Sequence, residues 1–122
     1  MKVFIVDDSD VVCSGLESML SEIGGVSVVG KAKDVHGAVD SISKLNPDVV
    51  ILDIRLLGGS GIDVLKEVKS RGLSQVVLML TNYPYPQYRT KCLELGADYF
   101  LDKVREIEKI PEIFEALKRK LP

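Results

Sequence analysis

Tryptophan is absent from this 122-residue sequence, histidine occurs once and cysteine only twice. The two thiols, Cys13 and Cys92, both fall inside helical patterns. That argues against a disulfide framework and for a reducing compartment. Long hydrophobic runs are lacking as well. None approaches the roughly 20 residues needed to span a bilayer, so no membrane partner is expected. The N-terminus has Lys2 but turns acidic at Asp7, without the long apolar and small-residue regions of a signal peptide. A cytoplasmic location is the resulting expectation. The chain also has no long basic run, and its net charge is −2. Phosphate contact needs clustered Lys and Arg, so direct nucleic-acid binding is not expected. The basic ending Lys118-Arg119-Lys120 instead suits the negative end of a helix. What remains is 46% hydrophobic and 28% charged, enough for one hydrophobic core in a chain of common domain size.

Short apolar runs alternate with helix-period segments five times. Residues 2–6 read as a buried strand, and Val12, Leu16, Met19, Leu20 and Ile23 then recur at helical spacing until Gly24-Gly25. Residues 26–30 make a second strand. The helix after it starts at about Asp34, shares Val35, Ala38, Val39, Ile42 and Leu45 on one face, and closes at Asn46-Pro47. Residues 49–52 are continuously apolar. After a glycine-rich loop, Ser60 and Asp63 have capping-box spacing and open a helix with Ile62, Leu65 and Val68 inward. Residues 76–80 supply a fourth strand, Pro84 and Pro86 stiffen its exit, and Tyr88, Cys92 and Leu95 mark a short helix ending at Gly96. Residues 98–101 are the fifth strand. Ile107, Ile110, Ile113, Phe114, Leu117 and Leu121 form the stripe of the last helix. Strands apolar on both faces and alternating with amphipathic helices imply an α/β fold: a doubly wound five-stranded parallel sheet of flavodoxin-like order 2-1-3-4-5, with helices on both faces.

Such sheets bind ligands at the carboxyl ends of their strands, near the switch between strands 1 and 3. Asp7 and Asp8 leave strand 1 there, and Asp53 leaves strand 3. Three like charges in contact oppose folding unless a cation or proton neutralises them. Mg²⁺, which takes one or two carboxylates plus water and phosphate oxygens, is the natural remedy. Strands 4 and 5 end in Thr81, a hydroxyl donor, and Lys103, a long cation, and both suit a phosphoryl group. Asp53, alone at its strand end, is the best placed nucleophile for an aspartyl phosphate, and the adjacent pair Asp7 and Asp8 suits a metal. Each group has a plainer reading when taken alone. An Asp after a strand can be a helix cap, with Ser9 or Asp10 competing for that place, and most lysines are solvated. The force of the pattern lies in five polar groups on one inferred rim.

The motifs VDD at 6–8, LDIRLLGGSG at 52–61, LT at 80–81 and GADYFLDK at 96–103 make the chain resemble a bacterial response-regulator receiver domain from end to end. The resemblance implies a single receiver domain over residues 1–122. It implies phosphoryl transfer to Asp53 from the histidine of a sensor kinase or phosphotransfer protein, with Thr81 and Lys103 gripping the phosphoryl oxygens. Mg²⁺ would be held by Asp8, Asp53 and the backbone carbonyl of Arg55, with Asp7 assisting. Phe100 takes the place of the family's aromatic switch residue, which would turn inward as Thr81 moves and so remodel the face of strand 4, helix 4 and strand 5. The implied partners are a downstream protein or an output domain, with phosphorylation-dependent homodimerisation left open. The implied catalysis is self-phosphorylation and slow dephosphorylation, without turnover of an external substrate.

This chain departs from the family at several positions. Val104 and Leu57 stand where many relatives have proline, Asn82 where a small residue is usual, and Phe100 lacks a hydroxyl. Asn82, flanked by Arg55 and Tyr83, is expected to slow attack by water on the acyl phosphate. The segment YPYPQY at 83–88 reads as a stiff loop, its rings either packed on the domain or offered to a partner. His36, the lone histidine, is read as solvated, neither metal ligand nor phosphoryl carrier.

Other functions compete with this one. Asp8 to Val12 resembles the signature of haloacid-dehalogenase phosphatases, with Asp8 as nucleophile and Asp10 as acid, and turnover of phosphomonoesters would mark that class. An FMN module shares the topology, but an acidic first loop repels its phosphate. A phosphorylation-independent interaction module keeps the same pocket and binds through its helices.

Overall fold

A computed structural model of the chain describes residues 1–74 and 76–121. Strand β1 (Lys2–Val6) has its last four residues buried, as an apolar run covered on both faces requires. Helix α1 (Asp10–Ser21) starts where the Ser9 hydroxyl accepts the Val12 N–H at 3.3 Å, and it buries Cys13, Leu16 and Leu20. Strand β2 (Ser27–Ala32) follows. Helix α2 (Val35–Leu45) is capped by Asp34, whose carboxylate accepts the Gly37 N–H at 2.6 Å, and it ends at Asn46 in the left-handed region, φ 49°. Strand β3 (Val49–Leu52) is wholly buried.

A small hairpin, β4 (Arg55–Leu56) and β5 (Gly59–Ser60), then turns at Gly58, φ 71°. Helix α3 (Gly61–Ser70) is capped by the Ser60 hydroxyl, which accepts the Ile62 N–H at 3.1 Å. Strand β6 (Val76–Thr81) is buried throughout. Helix α4 (Pro86–Glu94), strand β7 (Tyr99–Asp102), a 3₁₀ turn at Ile107–Lys109 and helix α5 (Ile110–Lys120) complete the order.

The main sheet is parallel in the order β2-β1-β3-β6-β7, so the expected 2-1-3-4-5 arrangement is observed with β6 and β7 as its fourth and fifth strands. Side chains alternate along each strand. Val3, Ile5, Ile51, Leu78 and Leu80 meet Leu16, Leu20, Ile110, Phe114 and Leu117 on the face of α1 and α5. Phe4, Val50, Leu52, Val77 and Met79 meet Ala38, Ile42, Val64, Leu65, Val68 and Cys92 on the face of α2, α3 and α4.

Some boundaries differ from the sequence reading. Strand β2 runs on to Ala32 because Lys31 and Ala32 pair with Ile5 and Val6, with a register shift between Val3 and Phe4. The hairpin occupies what reads as a glycine-rich loop. The inward face of α3 is Val64, Leu65 and Val68, and Ile62 is only partly covered. Both cysteines are unbridged and buried, and burial pushes the Cys92 thiol up to about 11.

Candidate functional site

Sheet pairing continues one residue past the ends of β1 and β3. The Asp7 N–H donates to the Ala32 carbonyl at 3.1 Å, and the Asp53 N–H donates to the Val6 carbonyl at 2.9 Å. The two aspartates are therefore held side by side by backbone. Lys103 arrives from the end of β7, its N–H donating to the Thr81 carbonyl at 2.8 Å. Among the described residues, Asp7, Asp53, Thr81 and Lys103 are the buried polar or charged side chains, and all four lie on this rim.

Lys103 Nζ sits 2.8 Å from Asp7 Oδ2 and 2.9 Å from Asp53 Oδ2. The other oxygen of each carboxylate accepts a backbone N–H: Ser9 to Asp7 Oδ1 at 2.9 Å, and Ile54 to Asp53 Oδ1 at 2.7 Å. Asp8 is exposed, yet one carboxylate oxygen from each of Asp7, Asp8 and Asp53 lies within 4.8 Å of the others. Burial chiefly, helped by the charge of Asp7, raises the Asp53 carboxyl above its ordinary pKa, against the pull of Lys103. Burial also acts against the Lys103 ammonium, but its bonds to Asp7 and Asp53 outweigh that and hold its pKa above the usual value.

Two of the three carboxylates thus share one built-in cation, and Asp8 has no bond to it. The remaining donors are hard oxygens, and Asp8 keeps one side of the cluster wet. That set fits Mg²⁺, which retains water and takes few protein carboxylates.

Thr81 is fully buried, and its Oγ1 accepts the Tyr83 N–H at 3.0 Å. Arg55, exposed on β4, lays its guanidinium over the Tyr83 ring at 4.2 Å from the centroid. The tyrosines of the YPYPQY segment pack against one another, with Tyr83 and Tyr85 centroids 6.3 Å apart and Tyr85 and Tyr88 5.7 Å apart. Asn82 is exposed beside Thr81, and His36 is exposed at the start of α2. Phe100 is 4% exposed, with its ring already inside the core. Arg89 of α4 covers it, donating to the Phe100 carbonyl at 3.2 Å with its guanidinium 5.8 Å from the ring centre.

Two features escaped the sequence reading. A Cβ on Gly61 would collide with the Asp53 carbonyl, so the bare Cα lets α3 start directly against the strand end that carries Asp53. The cluster of glycines after Asp53 was the available signal. Arg89 had none, since one arginine in a polar helix reads as a solvated charge. The phosphatase alternative needs Asp10 as an acid. Instead Asp10 is exposed at the start of α1 and paired with Lys33 at 2.9 Å, a bond that lowers its pKa.

A family model for the response regulator receiver domain matches residues 3–115. The chain is 35% identical over 103 residues to the DNA-binding transcriptional activator DevR/DosR of Mycobacterium tuberculosis, covering 84% of this chain and 48% of that protein. It is 31% identical over 112 residues to YvfU of Bacillus subtilis, an uncharacterized transcriptional regulatory protein, covering 92% of this chain and 56% of that one. The response regulator domain of CheB from Thermotoga maritima superposes with a TM-score of 0.86 at 27% identity, covering 98% of this chain and 94% of that structure.

The chain spans about half the length of the curated relatives it matches. These relatives correct the expected partner set, which excluded nucleic acid, because DevR/DosR is itself named as DNA-binding. The physical reason is one of reach: a net charge of −2 describes only the 122 residues over which it is summed. No described helix is long and apolar enough to cross a membrane.

Proposed function

The chain belongs to the response regulator receiver family of two-component systems, and from that membership we propose that it accepts a phosphoryl group on Asp53 from the histidine of a sensor kinase or phosphotransfer protein. The observation that carries this reading is the buried bridge of Lys103 between Asp7 and Asp53 at the carboxyl edge of the sheet. An Asp53 oxygen attacks phosphorus opposite the phosphorus–nitrogen bond of the donor. That bond breaks, its electron pair stays on the imidazole nitrogen, and an acyl phosphate forms on Asp53.

Charge on the transferring oxygens has to be met by donors already in place. Lys103 has three N–H donors and turns one from a carboxylate to a phosphoryl oxygen. The Thr81 hydroxyl donates to another. Asp8, Asp53 and the Arg55 carbonyl would hold Mg²⁺ with Asp7 beside them, and the ion would neutralise carboxylate and phosphoryl charge there. The raised Asp53 pKa reflects the burial that a bound cation would offset.

Residues 1–122 act in this reading as one receiver, in a cytoplasmic setting that suits two buried, unbridged thiols. The relatives named as transcriptional regulators support a transcriptional output under its control. Signal leaves by the face of β6, α4 and β7. Phe100 is already inside, so the change around Thr81 is read out through what covers the ring, Arg89 and α4.

The test is incubation with phosphoramidate, with and without Mg²⁺, followed by intact mass. Wild type should gain one phosphoryl group only with the metal, and Asp53→Asn should gain none. Equal labelling of Asp53→Asn would remove Asp53 from its role, and an unlabelled wild type that binds Mg²⁺ would overturn the reading.

A further inference from the structure

Thr81 ends β6 fully buried, and its hydroxyl oxygen is engaged by the Tyr83 N–H at 3.0 Å. A hydroxyl carries one hydrogen and two lone pairs. An N–H fixed on one lone pair removes the orientations in which the hydroxyl hydrogen would point back along the loop, and so leaves that hydrogen free for an acceptor outside the loop, such as a phosphoryl oxygen on Asp53. The direction is only as firm as Tyr83 itself. Tyr83 lies in the connection between β6 and α4, ahead of Pro84, where no helix or strand bond holds it. Its ring rests on Tyr85 of its own loop, 6.3 Å between centroids, and is held from the opposite wall by the Arg55 guanidinium, 4.2 Å from the centroid.

Arg55 is well anchored. It stands two residues after Asp53, in a hairpin strand paired with Ser60, directly before the α3 turn packed on the Asp53 carbonyl. A single side-chain contact therefore joins the wall that carries Asp53 to the wall that carries Thr81, across the mouth of the acidic cluster.

Resting on the phosphoacceptor reading above, we propose that Arg55 and Tyr83 are positioning residues that fix the Thr81 hydroxyl as a directed donor to a phosphoryl oxygen. Neither side chain touches the reacting atoms. The tyrosine contributes its ring and its backbone N–H, and its phenol oxygen has no part. The role differs from shielding the acyl phosphate from water: a shield alters only how long the product lasts, whereas a positioned donor alters how fast it forms.

The forward rate with phosphoramidate at saturating Mg²⁺ reads this directly in Tyr83→Leu, Arg55→Met, the double variant and Tyr83→Phe. Both single variants should lower the maximal rate roughly two- to fivefold, the size expected of an exposed cation–aromatic contact acting through one donor. The half-saturating phosphoramidate concentration should stay within about twofold of wild type. The double variant should be no slower than the worse single one, since both break one contact. Tyr83→Phe should restore the wild-type rate.

A second readout uses neither metal nor phosphodonor. Hydrogen exchange at the Tyr83 amide should quicken in Tyr83→Leu and Arg55→Met, with the β6 amides still protected, and stay slow in Tyr83→Phe. Unchanged forward rates in Tyr83→Leu and Arg55→Met, or additive losses in the double variant, would overturn the proposal while leaving the phosphoacceptor reading intact. A wild type that takes no phosphoryl group overturns both, and the inert wild type itself marks that case.

Discussion

At the scale of single residues, the acidic rim survives because no buried oxygen is left without a donor. Asp7 and Asp53 each give one oxygen to backbone and the other to Lys103, so removing the lysine would strand two buried carboxylates. The lysine is itself placed by a locked turn. The Asp102 N–H donates to Glu106 Oε1 at 3.0 Å, the Glu106 N–H returns to the Asp102 carbonyl at 2.8 Å, and Asp102 Oδ1 accepts the Val104 N–H at 2.9 Å. The Asp102 N–H, and then Lys109, hold the Glu106 carboxyl below its ordinary pKa.

A carboxyl with a depressed folded-state pKa adds stability that is present above its unfolded value, here 4.5, and lost as pH falls through the folded one. Glu106→Gln should therefore be less stable than wild type at pH 7 by at most about 1 kcal/mol, after allowing for solvent screening. The difference should close as the medium is acidified below the usual glutamate range. Urea unfolding at several pH values measures it, and a gap that widened in acid would contradict the assigned bonds.

Among the α-helices, α4 is the least anchored. Its sequence PQYRTKCLE buries only Cys92, and its first turn has Pro86 but no side-chain cap. Tyr88 packs against the core, and Arg89 ties the helix to β7 at Phe100. Burial of one small side chain gives little apolar stabilisation, so a polar clasp carries much of the docking. Arg89→Ala is expected to speed hydrogen exchange along α4 by an amount equivalent to roughly 0.5–1 kcal/mol. Amides of β1 and β3 should be unaffected. If α4 exchanged as slowly as before, Arg89 would not be its tie to β7. By contrast, α5 is secured by Ile110, Phe114 and Leu117, and α1 by Cys13, Leu16 and Leu20. The helix that can be re-posed at least cost is thus the one beside the proposed phosphoryl-gripping Thr81.

For the molecule as a whole, fold stability and the acidic cluster pull in opposite directions. The sheet brings three carboxylates together regardless of their repulsion, because backbone pairing and two apolar layers hold the strand ends. A cation bound only by the folded chain should add stability by mass action, about 2.7 kcal/mol at a hundred times its dissociation constant. Calorimetry should show a melting temperature several degrees higher in Mg²⁺ than in chelator for wild type, and a much smaller shift for Asp8→Asn. Asp8 is exposed, so that variant should fold normally. Equal shifts in the two proteins would take Asp8 out of the proposed metal site.

The sequence alone determined the alternation of strand and helix and the five polar groups at the strand ends. Each is written in local periodicity: apolar runs at 49–52 and 76–80 cannot sit at a surface, and the residue that follows such a run must lie on the rim. Tertiary structure decided the rest. That Lys103 lies between Asp7 and Asp53, that Gly61 must stay bare against the Asp53 carbonyl, that Arg55 reaches Tyr83 and that Arg89 covers Phe100 are contacts between separate elements. Periodicity places a residue on a face. Which neighbour it meets there depends on the packing of layers whose spacing and twist no local pattern encodes.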